Sequence, residues 1–309
     1  MEETVNSVED HLIDSLSFKL KPGASYVQSR RSVSFFPQGG NSYSSNGVKV
    51  IKISLTGSQG EWLDPSTLVV HYTVNNGETA TTQPLLYFLS GPWCVFRRVR
   101  LIVGGVILED IDNYNRVHEL FHMLGSSNKR KNDNIMGFNN ASIDDLYNLN
   151  NESSMSRYGF DYIGIKEHKS VLFTPLLGLI NQDKYLPLRY MGGMTLEFEL
   201  ISDPTDCLMS TTYTSLATDA EGPFAAIGAK TVPDADKPPS KNWYLTDIQV
   251  KADVLTIDNN LNDEYVKYLL SGKALAINYN TYVSQFQTML GQHKCVNITR
   301  SFTRLKSIF

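Results

Sequence analysis

The sequence predicts an all-β protein, built as an antiparallel sandwich or barrel, and three observations support this prediction. Short segments with apolar side chains at every second position recur along the chain, a pattern typical of half-buried strands. Long polar loops separate these segments, and few stretches have helical periodicity. With 309 residues, of which 41% are hydrophobic, the chain can bury one large core or two smaller ones.

The clearest pattern lies at residues 95–111, where two alternating segments flank Gly104 and Gly105. Glycine adopts positive φ without strain, so this stretch is predicted to be a β-hairpin with a two-residue turn. Asp112 is predicted to cap a helix that ends at Gly125. An apolar stripe should bury one side of that helix: Tyr114, Val117, Phe121 and Leu124.

Further strands and one further helix are predicted on either side of this hairpin. The remaining alternating segments are residues 48–55, 68–74, 160–165, 170–173, 194–200, 248–254, 275–283 and 296–309, with an edge strand at 185–188. Residues 57–65 are predicted to form a loop. A second capped helix is predicted over residues 262–271, and the polar stretch 128–157 is predicted to be a long surface excursion.

Composition and charge exclude several classes of function. The chain has 28 basic and 32 acidic residues, so there is no strongly basic field for a nucleic-acid backbone and no direct sequence-specific nucleic-acid partner is expected. No apolar run reaches the ~20 residues of a membrane helix, and the acidic N-terminus is unlike a signal peptide. The 3 cysteines are sparse and odd in number, which favours a reducing compartment over a disulfide scaffold.

The sharpest chemical motif is His118-Glu119-Leu120-Phe121-His122, on the predicted helix. Two histidines four residues apart share a helix face and can both bind one zinc ion, with the glutamate as general base. The longer form of this motif would place its third ligand at Asn128, which is a poor zinc ligand. His118 and His122 also flank the apolar stripe, so packing explains them, and we predict no metal, no other cofactor and no catalytic residue. A zinc-dependent metallopeptidase using residues 118–122 is the alternative.

Two charged clusters invite functional interpretations that we consider weaker than structural ones. Three acidic residues before the helix lack the further oxygen ligands that calcium requires, and we expect them to stabilise the helix N-terminus: Glu109, Asp110 and Asp112. Three arginines alternate along the preceding strand, and we expect them to pair with carboxylates or with a neighbouring subunit: Arg97, Arg98 and Arg100.

Several segments resemble the double jelly-roll major capsid proteins of eukaryotic double-stranded DNA viruses and polinton-like elements. The resemblance rests chiefly on SGPWCVFRRVRLIVGGVILEDIDNYNRVHEL and FTPLLGLINQDKYLPLRYMGGMTLEFEL, and extends to GVKVIKISL, WLDPSTLVVHY, YVKYLLSGKALAINYNTY and VNITRSFTRLKSIF. It implies two tandem jelly-roll sandwiches. On this basis we expect an N-terminal arm at 1–45, a first jelly roll at 46–205, a long loop or linker at 206–241 and a partial second jelly roll at 242–309.

The resemblance implies assembly rather than catalysis. A protein of this family is a structural subunit of the virion that associates with itself as a homotrimer, forms the capsomers of an icosahedral capsid and can contact minor capsid or penton proteins. A lectin-like jelly-roll module is a further alternative, because jelly rolls also bind sugars. Trp62 and Trp93 would be its sugar platform.

Overall fold

The protein is described by a computed structural model in which residues 26–58, 60–79, 86, 88, 90–125, 163–208, 240–285 and 304–308 are described. Eight strands and two α-helices lie within these ranges. The strands are β1 Val27–Phe35, β2 Val50–Leu55, β3 Glu61–Asn76, β4 Phe96–Val103, β5 Val106–Asp112, β6 His168–Phe173, β7 Met194–Leu200 and β8 Trp243–Ile257. The helices are α1 Tyr114–Leu124 and α2 Asn259–Leu270, and a short 3-10 helix spans Pro92–Val95.

The strands form two four-stranded antiparallel sheets, with the orders β1-β8-β3-β6 and β2-β7-β4-β5. The first strand pairs with the eighth, the second with the seventh, the third with the sixth and the fourth with the fifth. This nested pairing is that of one long antiparallel ribbon wrapped into a sandwich, which is a jelly roll. The predicted all-β antiparallel jelly-roll fold is therefore confirmed.

One continuous hydrophobic core lies between the two sheets. Its centre is aromatic: the ring of Tyr72 on β3 meets Phe96 on β4 edge-on at 5.6 Å, and Phe96 packs on Phe198 of β7 at 5.2 Å. Burial of these side chains from both sheets supplies the main driving force for closing the sandwich.

The boundaries of the first jelly roll differ from the prediction. Strand β1, expected in an arm at 1–45, is an edge strand of the first sheet, and β8, expected to open a second roll, lies between β1 and β3. The two sheets therefore need residues 27–257 rather than 46–205. The described residues contain one complete roll, and a single-sequence pattern cannot reveal such a closure because the paired strands are more than 200 positions apart.

The chain after the roll contains a helix but no strand among its described residues. α2 begins earlier than predicted, and Asp258 caps it by accepting a hydrogen bond from the Asn260 amide. The strand predicted at 275–283 is instead a segment without regular secondary structure or sheet pairing. Most of the strand predicted at 296–309 lies outside the described residues, and 304–308 form no strand.

Two further predictions require correction. The predicted loop at 57–65 overlaps the start of β3, whose pairing with β8 is irregular between Asp64 and Val69. Pro65 lies in this irregular stretch, where its missing amide hydrogen interrupts no regular ladder. On α1, only Tyr114 of the predicted stripe is buried, and Leu124 is 57% exposed.

Candidate interaction surface

The polar side chains of the motif at residues 118–122 all contact Trp93, which is 6% exposed. They are His118, Glu119 and His122. The His118 ring stacks on the indole at a centroid distance of 4.0 Å, and the His122 ring lies at 4.9 Å. The indole Nε1–H donates a 2.8 Å hydrogen bond to Glu119. These contacts attach α1 to the short 3-10 helix that carries Trp93.

The same geometry gives the motif residues a packing role. His118 Nε2 lies 3.2 Å from the carbonyl oxygen of Thr174, and its ring face is covered by Trp93. Among the residues that the structure describes, no three His, Cys, Asp or Glu side chains are grouped as they would be around a metal ion. The absence of a metal site at residues 118–122 stays a prediction, and it is the packing on Trp93 that supports it.

The three arginines of β4 pair with carboxylates on neighbouring strands, as predicted. Arg98 makes two hydrogen bonds to Asp110, of 2.7 and 2.6 Å. Arg100 lies 3.0 Å from Glu197, whose second partner is Lys52 at 3.1 Å. Arg97 and Asp112 are 3.7 Å apart, so opposite charges alternate across the outer face of the β2-β7-β4-β5 sheet and compensate one another.

The acidic residues before α1 do not act at its N-terminus, contrary to the prediction. The N-cap is Asn113, in a left-handed conformation with φ of 50° and without a side-chain capping bond. Asp110 and Asp112 pair with arginines instead. Glu109 is buried, and its carboxylate accepts hydrogen bonds from the amides of Gly178 and Leu179.

Glu109 also contacts the chain that follows α2, a contact that the sequence did not predict. Its carboxylate accepts a 3.1 Å hydrogen bond from the Thr281 hydroxyl. Burial raises the pKa of Glu109, and the hydrogen bonds from Leu179, Gly178 and Thr281 oppose that rise. The carboxylate therefore ties β5 both to the β6–β7 connection and to the chain that follows α2.

We call residues 273–285 the strap, because they contact both β5 and the β6–β7 connection. The hydroxyl of Ser284 donates to the carbonyl oxygen of Asp112, and Tyr282 meets Phe121 of α1 with ring centroids 4.8 Å apart. Three strap side chains pack partly against the core: Ile277, Tyr279 and Tyr282. A Cβ atom at Gly178 would lie 1.6 Å from the Asn280 carbonyl oxygen, so the close approach of the strap requires glycine there.

Four long connections begin and end at the same end of the sandwich, which we call the long-loop end. They are residues 36–49, 77–95, 113–167 and 201–242, whereas the connections at the other end are 56–60, 104–105 and 174–193. Backbone bridges join the four long ones to each other or to adjacent strands: Tyr43 with Leu245, Leu86 with Ile163, and Phe88 with Leu208. Sequence variation is best tolerated on such connections, whose ends are held by a rigid sandwich.

The β4–β5 hairpin presents an apolar surface at the opposite end. Its turn has the positive φ predicted for Gly104 and Gly105, at 57° and 80°. Three consecutive residues after the turn are exposed, Val106 by 62%, Ile107 by 50% and Leu108 by 40%. We call residues 106–108 the hairpin tip. A contiguous exposed apolar segment on an edge strand is typical of a contact surface.

Within the described ranges, the other three sheet edges carry protection that is not found at the hairpin tip. Strand β1 contains Arg30 and Arg31, and β6 contains His168 and Lys169. Strand β2 is covered at Lys52, whose carbonyl oxygen accepts a 2.7 Å hydrogen bond from the Gln38 amide. Charged residues and covering segments are the usual devices against unwanted pairing of edge strands.

The tryptophans proposed for a lectin-like platform are both buried. Trp62 is 8% exposed and packs on Tyr265 of α2 at 5.1 Å, and Trp93 lies under α1 as described above. Neither indole face is therefore available to stack on a sugar. Among the described residues, no helix is long and apolar enough to cross a bilayer.

No protein-family model and no curated protein sequence matches the chain. Its structure is similar to that of PBCV-1 VP54, fitted into a reconstruction of the virophage Sputnik, with 16% identity, 81% of this chain and 48% of that chain covered, and a TM-score of 0.45. The cryo-EM structure of the Sputnik virophage is 10% identical, with 80% of this chain and 52% of that chain covered and a TM-score of 0.46. The Faustovirus major capsid protein is 10% identical, with 84% of this chain and 60% of that chain covered and a TM-score of 0.40. The chain spans about half the length of the matched chains of VP54, the Sputnik virophage and the mavirus major capsid protein, at 48%, 52% and 50%.

Proposed function

We propose that the chain is a structural subunit of a viral capsid, whose function is to associate with copies of itself. The resemblance of its sequence segments to double jelly-roll major capsid proteins supports this function, and the complete eight-stranded jelly roll corresponds to one of the two sandwiches that the resemblance implies. A jelly roll suits such a role because its sheets hold the side surfaces rigid while the connections vary.

The observation that carries the proposal is the hairpin tip. Residues 106–108 are apolar, exposed and uncharged, and the described part of the chain places neither a basic residue nor a covering segment at this position of the β5 edge. An obligate interface needs an apolar centre of this kind, surrounded by a larger polar rim, and buries upwards of ~2,000 Å² in total. The self-compensating charges on the adjacent sheet face leave no net charge to oppose a close approach.

The finer features of the proposal follow from the family that the sequence resembles. The subunits form homotrimers, the trimers form the capsid lattice of the virion, and minor capsid or penton proteins contact that lattice. The chain is made in a reducing compartment of the host cell and has no enzymatic role. The engagement of His118, Glu119 and His122 with Trp93 supports the last point.

Light scattering of the full-length protein, with one substitution in the hairpin tip, tests the proposal. We expect a mass three times the 34.7 kDa of the chain at micromolar concentration. Ile107→Glu should weaken association about tenfold or more, because an unpaired carboxylate in an interface costs at least about 1.4 kcal/mol. Leu270→Glu is the matched control, since Leu270 is apolar and 81% exposed but lies on α2. Equal effects of the two substitutions would argue against the hairpin tip.

A further inference from the structure

A cavity of about 330 Å³ lies between the strap and the β6–β7 connection. Residues 178 and 181–184 of the connection line one wall, and residues 278–280 and 282 of the strap line the other. Small-molecule sites in proteins range from about 300 to 1,000 Å³, so this cavity is large enough for one compact ligand. We call it the strap cavity.

Several contacts hold the two walls of the strap cavity together. The ammonium group of Lys184 donates a 3.3 Å hydrogen bond to the carbonyl oxygen of Ala276. Glu109 joins the Gly178 amide, at 2.8 Å, to the Thr281 hydroxyl, at 3.1 Å. The cavity is therefore formed before any ligand arrives, and a ligand that enters it needs to order little of the chain.

Two tyrosines of the strap supply aromatic surface and hydroxyl groups to the cavity. The side chains of Tyr279 and Tyr282 are half-buried and pack partly against the core, which restricts their positions. Burial and the nearby Glu109 carboxylate raise the pKa of both phenols, so both hydroxyls stay protonated at neutral pH. Each ring combines an apolar body with a polar tip that donates and accepts hydrogen bonds.

Side-chain amides supply further hydrogen-bonding groups. The amides of Asn278 and Asn280 are exposed and make no side-chain hydrogen bond within the described part of the chain. Gln182, in contrast, is engaged with both backbone groups of Lys184, each at 2.6 Å, and so shapes the wall. A primary amide donates and accepts at the same time, as a hydroxyl group does. The two asparagines therefore suit a ligand that carries several hydroxyls.

The charges that line the cavity compensate one another. Asp183 contributes one carboxylate and Lys184 one ammonium group, while Glu109 lies behind the lining and is satisfied by its three hydrogen bonds. Among the described residues, no three potential metal ligands are grouped. An anion or a metal ion therefore has little to gain in this cavity, and a neutral polar ligand is favoured.

We propose that the strap cavity binds one pyranose unit of a neutral saccharide. The apolar face of the sugar packs on the tyrosine rings, and its hydroxyls bond to the amides of Asn278 and Asn280 and to the phenol hydroxyls. This site differs from the tryptophan platform considered from the sequence, both of whose indoles are buried. The inference goes beyond the proposed capsid function and needs only the contacts of the strap, so its failure would leave that function untouched.

Saturation-transfer NMR of the full-length protein tests the proposal with three probes, the methyl pyranosides of glucose, galactose and mannose. We expect at least one of them to bind with a Kd on the order of 1 mM, since a monosaccharide has few atoms with which to bind. Inorganic phosphate and Ca²⁺ should not displace it. Absence of binding for all three sugars would overturn the proposal, and so would displacement by either ion, which would indicate an ion site.

Substitutions then locate the bound sugar. Asn278→Ala and Asn280→Ala should each raise the Kd about three- to tenfold, because each removes a hydrogen bond to the ligand, while the melting temperature stays unchanged. Asn260→Ala is the matched control, since Asn260 is also an exposed asparagine but lies on α2. Gly178→Ala, which forces the strap away from the connection, should abolish binding. Equal affinities of the wild type and both strap variants would overturn the proposal.

Discussion

At the scale of single residues, Trp93 is the point on which the helix motif converges, and its indole Nε1–H depends on Glu119. Glu119→Ala should lower the free energy of unfolding by about 1–3 kcal/mol, because it leaves a largely buried donor without an acceptor. Glu119→Gln retains an acceptor oxygen and should cost less than about 0.5 kcal/mol. Urea denaturation of the two variants measures the difference, and equal losses would contradict the hydrogen-bonding role.

The buried Glu109 predicts a dependence of stability on pH. Its pKa is raised in the folded protein, chiefly by burial, so the folded state penalises the ionised form. Its contribution to stability is therefore full below the pKa of the unfolded chain and falls as pH rises through the folded pKa. Stability measured against Glu109→Gln, from about pH 4 to neutrality, should show the wild-type advantage decreasing. An advantage that grows with pH would mean that the three hydrogen-bond donors outweigh burial.

The sequence predicts the carboxylate partners of Arg97 and Arg98 but not the partners of Glu109, because only the former are close in the sequence. The arginines of β4 are close in sequence to the acidic residues of β5, so their pairing with carboxylates could be predicted from the local pattern. The partners of Glu109 come from Gly178 and Thr281, which are remote in sequence. Nothing local distinguishes a carboxylate that meets such partners from one that caps the following helix.

At the scale of elements, the strap is held against the sandwich by a close backbone approach at Gly178. Gly178→Ala would place a methyl group 1.6 Å from the Asn280 carbonyl oxygen, so the strap must move. We expect hydrogen exchange to accelerate at residues 276–285 while the strands keep their protection, with a stability loss of roughly 1–3 kcal/mol.

Gly40→Ala provides the matched control for the strap. The nearest atom to a new Cβ there is the Ser42 carbonyl oxygen at 3.9 Å, which is an ordinary contact. This variant should exchange as the wild type does. If Gly178→Ala also left residues 276–285 unchanged, the strap would not lie against Gly178.

The central position of β8 predicts slow exchange in a region that sequence pattern assigned to an incomplete second roll. Strand β8 pairs with β1 on one side and β3 on the other, so its amides are hydrogen-bonded within the sheet. Residues 243–257 should exchange as slowly as β3 and much more slowly than residues 273–285. Fast exchange in β8 would contradict the closure of the roll.

Strands were predicted correctly where the pattern lies within the strand itself, and wrongly where the strand depends on partners remote in sequence. Alternation located β2, β4, β5, β6 and β7 within a few residues, because a half-buried strand has a period of two. The start of β3 was missed because Pro65 indicates a loop, whereas the strand continues past the proline with an irregular pairing to β8. The membership of β1 and β8 in one sheet could not be predicted, because strand pairing across the whole roll leaves no local trace.

At the scale of the whole molecule, the jelly roll separates two kinds of surface. The long-loop end carries four connections whose ends are fixed by bridges, and the hairpin tip presents exposed apolar residues at the opposite end. Between them, the face of one sheet is covered by compensated ion pairs, each of which contributes little to stability on its own. This division suits a subunit whose rigid body makes contacts through its sides and ends.

Electron microscopy of the purified full-length protein at micromolar concentration tests the central claim, that the chain is a self-associating capsid subunit, most directly. Closed rings with three-fold symmetry, each containing three sandwiches, are the expected particles. Particles that are uniformly single sandwiches, under conditions in which the protein is folded, would contradict the claim.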